Sequence, residues 1–93
     1  MTTPRPAAPT VLAKTATARA LLFEYQQGEG LPPHTHAGQI VVVAVLSGQL
    51  QLTVDGQVHT LGGGEVTKVQ TSGYFSSLAL QGGTRVLVTL LNE

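Results

Sequence analysis

Cysteine and tryptophan are absent from this 93-residue chain. Without cysteine there is neither a disulfide framework nor a thiolate metal site. Charge is scarce as well: five Lys and Arg balance five Asp and Glu, for a net charge of zero. The cations Arg5, Lys14, Arg19, Lys68 and Arg85 are scattered. They form no basic stripe of the kind that nucleic acid needs to replace its counterions, so a nucleic-acid partner is not expected. No apolar run approaches the roughly 20 residues of a membrane span, and the opening Met-Thr-Thr-Pro-Arg-Pro-Ala-Ala-Pro has no apolar run of signal-peptide length. The expectation is a cytoplasmic protein with no membrane partner. A chain of this length is one domain with a modest core, which a second subunit would help to bury.

Glycine is plentiful, with 11 residues, and it punctuates short apolar stretches. Pro4, Pro6 and Pro9 remove backbone donors, so residues 1–13 are expected to be a flexible arm, or else an arm that adds to a neighbouring subunit. The folded domain is then 14–93. Thr15 to Gln27 has helix formers, yet its Thr, Phe and Tyr content suits a strand, and a strand is preferred because all that follows is β. Gly28, Gly30, Pro32 and Pro33 make a stiff, turn-rich approach to His34.

Gln39 to Leu46 is nearly all aliphatic and reads as a strand covered on both faces. Gln49 to Val54 alternates, with Leu50, Leu52 and Val54 facing in. Asp55-Gly56 signals a two-residue hairpin, because both residues tolerate positive φ. Gln57 to Leu61 returns with Val58 in the inward phase and His59 facing solvent. Further strands are expected at Glu65 to Gln70, Ser76 to Leu80 and Arg85 to Leu91. Turns are expected at Ser47-Gly48, Gly62 to Gly64 and Thr71-Ser72-Gly73, with a hairpin turn at Gln81 to Thr84. Leu78 and Leu80 share one face. Short strands with glycine-rich turns predict an all-β sandwich or barrel. There is no β-α alternation for a doubly wound nucleotide-binding sheet.

The chemistry gathers at His34-Thr35-His36, ahead of the longest apolar run. Alternate residues of an extended segment share a face, so the two imidazoles can converge and begin a metal site. Ser47, Ser76 and Ser77 are not placed with a His-Asp pair, which rejects a serine hydrolase. Gly62 to Gly64 lacks a following Lys-Ser or Lys-Thr and is no phosphate loop. Glu24 and Glu65 read as surface or turn residues.

Gly28, five residues, His34-x-His36 and then Gly48 are in register with the first motif of the cupin superfamily, which this chain resembles over about residues 18–92. The resemblance implies a double-stranded β-helix, a jelly-roll-like barrel with its site at the mouth, and a homodimer. It also implies a metal held by three histidines and a glutamate. Val41 stands at the glutamate position, with Gln39 two residues earlier on the same face as a substitute ligand. Phe75 stands at the third histidine position. The implied metal set is therefore His34, His36 and Gln39, holding a divalent ion (Zn, Ni, Mn or Fe) weakly, since an amide is a poorer ligand than a carboxylate. Val41, Tyr74 and Phe75 are the candidate ligand-pocket residues, an aromatic lining suited to an apolar small molecule. Three functions follow from the resemblance and these departures: a metal-dependent dioxygenase, isomerase or lyase; a non-catalytic small-molecule binder; and a structural dimer whose site is a relic.

Overall fold

A computed structural model describes residues 3–70 and 73–93. Eight strands run through it: β1 (Thr10–Lys14), β2 (Ala18–Tyr25), β3 (Gln39–Ser47), β4 (Gln49–Val54), β5 (Gln57–Gly62), β6 (Val66–Val69), β7 (Phe75–Ala79) and β8 (Thr84–Asn92). They form two antiparallel sheets, one ordered β1-β2-β8-β3-β6 and the other β5-β4-β7. This is the all-β, double-stranded β-helix expected from the sequence. Among the described residues no helix is long and apolar enough to cross a membrane.

Alternation decides which side chains meet between the sheets. From the larger sheet come Leu21, Phe23 and Tyr25 of β2, Val41, Val43 and Val45 of β3, and Val86, Val88 and Leu90 of β8. Leu50, Leu52, Leu61, Phe75 and Ala79 face them from the smaller sheet. The hairpin at Asp55-Gly56 forms with φ of 50° and 80°, as a tight primed turn requires. At Gly48 the chain crosses between sheets with φ of 83°, and an added Cβ would lie 2.3 Å from the Thr84 hydroxyl. Glycine is needed there for conformation and for space together.

Several expectations are corrected. The outer face of β3 is only half-buried at Ile40, Val42 and Ala44, and Leu46 is exposed, so a single chain covers this strand on one face rather than two. Val58 does not take the inward phase: it opposes Thr53 and is exposed, while His59 opposes the buried Leu52. His59 is still exposed, because β5 is the edge of its sheet. Leu78 and Leu80 do share a face, but the buried face of β7 is Phe75, Ser77 and Ala79. Gln81 to Thr84 is not a hairpin, since β7 and β8 belong to different sheets. The Thr71-Ser72 part of an expected turn lies outside the described residues.

Within the stretch expected as an arm, Thr10–Lys14 forms β1 on the edge of β2. Upstream, the Arg5 N–H donates to the Gly28 carbonyl, and the Gly30 N–H donates to the Arg5 carbonyl, each at 3.0 Å. Pro4 and Pro6 flank Arg5 without obstructing it, because an edge segment needs only alternate donors.

Candidate functional site

The segment between β2 and β3 lies along β7. Ala79 N donates to Glu29 O at 2.8 Å, Ser77 N to Leu31 O at 3.0 Å, and Phe75 N to His34 O at 3.0 Å, with His34 N returning to Phe75 O at 3.0 Å. Gly30 makes this approach possible, since a Cβ there would stand 2.0 Å from the Ser77 carbonyl oxygen. Beyond His34, Gly38 (φ 78°) and a Gln39 N–H to His36 O bond of 3.1 Å turn the chain into β3. The two histidines therefore sit at one open end of the space between the sheets.

Their rings are 4.8 Å apart and nearly perpendicular. Phe75, which is 3 % exposed, lies 4.3 Å from the His34 ring and 5.6 Å from the His36 ring. His34 Nδ1 is 2.7 Å from the Pro32 carbonyl oxygen. A carbonyl only accepts, so Nδ1 carries a proton, and in the neutral ring the lone pair is then on Nε2. His36 Nδ1 is 2.7 Å from Gln39 Oε1, and Gln39 Nε2 donates to Asn92 Oδ1 at 2.8 Å. That chain assigns His36 the same tautomer. Burial holds the His36 pKa below its ordinary value; His34 and the Arg19 guanidinium add to the effect, and the Gln39 bond opposes it. A neutral imidazole with a free Nε2 can accept a hydrogen bond or bind an ion.

A cavity of about 110 Å³ opens here, lined by Arg19, Leu21, Phe23, Leu31, His34, His36, Val41, Phe75, Val88 and Leu90. Deeper in, between Tyr25, Leu52, Ser77 and Val86, only about 10 Å³ remains, so the interior is closed and the usable space is the mouth. Ser77 is buried because its hydroxyl accepts the Leu31 N–H at 3.1 Å and bonds the Tyr25 phenol. Desolvation raises the Tyr25 pKa well beyond the usual phenol range.

Of the residues singled out in the sequence, His34, His36, Val41 and Phe75 come together in the mouth. Gln39 stands behind His36 and joins it through the hydrogen bond described. Tyr74 is 67 % exposed and is not among the lining residues. Glu24 is exposed on β2, and the exposed Glu65 accepts the Gly62 N–H at 2.7 Å as a turn residue. Sequence reasoning missed Arg19. The signal was present in the alternation Arg19, Leu21, Phe23, Tyr25, which puts the guanidinium on the inward phase at the strand's outer end.

A family model described as "Cupin domain" matches residues 21–72, more than half of the chain. The chain belongs to the cupin family. A sequence search of curated proteins found no match. Among solved structures, KdgF from Halomonas sp. superposes with a TM-score of 0.82 at 18% identity, covering 91% of this chain and 79% of that one. The Cnp3 cupin domain of Schizosaccharomyces pombe gives 0.84 at 20% identity, covering 91% and 64%. An RmlC-like cupin protein from Desulfovibrio desulfuricans gives 0.79 at 23% identity, covering 90% and 80%. At these identities the likeness is one of fold.

Cupins often hold a metal, and the donor set tests whether this mouth fits one. Both Nε2 lone pairs are available. Among the described residues, however, no group of three or more His, Cys, Asp or Glu converges anywhere. Phe75 and Val41 present hydrocarbon where further ligands would be needed. Two imidazoles fall short of the three protein ligands that hold a resident catalytic metal.

Proposed function

We propose that this cupin binds a small organic molecule in the barrel mouth, and that binding rather than catalysis is its role. The observation behind this reading is the cavity itself, with apolar walls at Phe23, Leu31, Val41 and Phe75 and oriented imidazoles at His34 and His36. A few fixed polar groups in an apolar cleft are how small-molecule sites obtain orientation and specificity. Among its lining residues the titratable groups are Arg19, His34 and His36. The test is a two-dimensional NMR screen of neutral and charged compounds of about ten heavy atoms, a size suited to a cavity of this volume. Binders should shift Leu31, His34, His36 and Phe75 together. Shifts that avoid these residues for every binder would overturn the reading.

A second reading rests on the two free Nε2 lone pairs. They could hold a divalent ion such as Zn²⁺ or Ni²⁺ loosely, with water or the organic ligand completing its shell. In this reading Gln39 orients His36 through its Nδ1–H rather than acting as a ligand.

The protein is also proposed to be a homodimer. The outer face of the larger sheet carries Leu22, Ile40, Val42, Ala44, Val66, Leu87 and Leu91, with Val66 63 % and Leu91 38 % exposed, and Glu24, Lys68 and Arg85 are charged members of the same face. At about 4.8 Å between strands and about 3.3 Å per residue, the five strands present roughly 550 Å² of projected face. That is about two thirds of the roughly 800 Å² per partner of a standard interface. A second copy brings the same face, which is what a two-fold dimer buries.

A further inference from the structure

Lys14 of β1 and Arg19 of β2 are register partners, so their side chains leave the same face of neighbouring strands. Like charges placed directly opposite across a strand pair are destabilising. Among the described residues neither side chain has a hydrogen bond or an ion pair that would offset this. Both line a cavity of about 130 Å³, together with Thr15, Gln39, Leu90 and Asn92. Arg19 and Leu90 also line the histidine cavity, so the two spaces adjoin. Gln39 and Asn92 spend one amide group each on one another, at 2.8 Å. The pair of cations is thus the strongest polar feature of the outer space, while Phe23, Leu31 and Phe75 make the inner space apolar.

We propose that the molecule bound at the mouth is an amphipathic carboxylic acid. Its carboxylate lies between Lys14 and Arg19 in the outer cavity, and its hydrocarbon part lies against Phe75 in the inner one. A guanidinium is suited to this task because its fork matches a carboxylate with two parallel hydrogen bonds. An anion there also relieves the repulsion between the two cations. The inference rests on the proposed binding at the mouth and specifies the ligand's charge.

The test compares 3-phenylpropionate with 3-phenylpropanamide, which has the same shape and no charge. Affinities are measured by NMR titration at low salt and again at higher salt. The acid is expected to bind roughly tenfold or more tighter, the difference that one to two kcal/mol of charge-assisted hydrogen bonding makes. That preference should shrink with added salt and should collapse in Arg19→Gln and in Lys14→Gln. Lys14 is exposed on an edge strand, so its variant keeps the test valid if Arg19→Gln disturbs folding. Equal binding of acid and amide would overturn the carboxylate inference and leave binding at the mouth standing. So would a preference for the acid that survives in both variants. If neither compound nor any other shifts the mouth residues, binding at the mouth falls and the carboxylate inference falls with it.

Discussion

His34 and Phe75 exchange both backbone hydrogen bonds, each 3.0 Å, across an isolated antiparallel bridge, and their rings stand 4.3 Å apart. This bridge ties the histidine segment to β7 and sets the phenyl ring against both imidazoles, so a histidine at 75 would bring a third imidazole beside them. Phe75→His is therefore expected to tighten Zn²⁺ or Ni²⁺ binding by roughly tenfold or more, since three imidazoles hold such ions far better than two. Burying a polar ring at a position 3 % exposed should cost about 1–3 kcal/mol of stability. Calorimetric metal titration of both proteins checks this. No gain in affinity would mean that the three rings do not converge on one point.

Removing the imidazoles gives the reciprocal result. His34→Ala and His36→Ala should each abolish whatever divalent-ion uptake the wild type shows, with little loss of fold, because neither residue belongs to the hydrophobic core. Elemental analysis and thermal unfolding of the two variants beside wild type decide it. Full uptake by either variant would place the ion elsewhere.

The architecture could be read from the chain because alternation and turn chemistry agreed. Gln-Leu-Gln-Leu-Thr-Val can bury only one face, and Asp55-Gly56 fixes the register of its partner strand. The phase of β7 could not be read in this way. Hydrophobicity favours Leu78 and Leu80, but the buried face carries Ser77, whose hydroxyl is satisfied by Leu31 and Tyr25, partners far away in sequence. β1 was hidden by the prolines before it, because sheet-edge pairing is a tertiary event with no local signature. The convergence of His34 and His36 was legible in their spacing. The place of Arg19 beside them depends on how β2 meets the barrel mouth.

Two glycines are predicted to be irreplaceable for different reasons. At Gly30 an added Cβ meets the Ser77 carbonyl, and at Gly48 it meets Thr84 while φ is also positive. Alanine at either position should lower stability by about 2–4 kcal/mol, because backbone and a fully buried threonine cannot move aside cheaply. Gly56 has φ of 80° but nothing within 4 Å of an added Cβ, so Gly56→Ala isolates conformational strain at about 1 kcal/mol. Denaturant unfolding of the three variants separates clash from strain. Equal losses at all three would show that the close approaches relax.

Tyr25 makes stability depend on alkaline pH. Burial raises its folded-state pKa above the ordinary phenol value of about 10. The unfolded chain therefore releases this proton at a pH where the folded chain retains it. Below pH 10 both states hold the proton, and the group adds no slope. Above pH 10 the unfolded state is favoured progressively, so stability falls as pH rises. Tyr25→Phe should be less stable at neutral pH, because Ser77 loses its phenol partner, but flatter above pH 10. Denaturant melts at pH 8, 10 and 11 test this, and an unchanged alkaline slope in Tyr25→Phe would assign the effect to another group.

The outer face of the larger sheet supports the last prediction. Val42 lies near its centre, paired with Lys68 on one side and Thr89 on the other. If a second copy covers this face, light scattering should give twice the chain mass. Val42→Lys should then give the monomer mass, since a second ammonium directly beside Lys68 adds like-charge repulsion to the cost of burying an unpaired charge. The folded monomer should survive, because the Val42 side chain points away from the intersheet core formed by Val41 and Val43. A wild type of monomer mass at high protein concentration would show that the apolar face is not a subunit seam. A Val42→Lys dimer would move the seam to another face, with the edge strand β1 as the next surface to test.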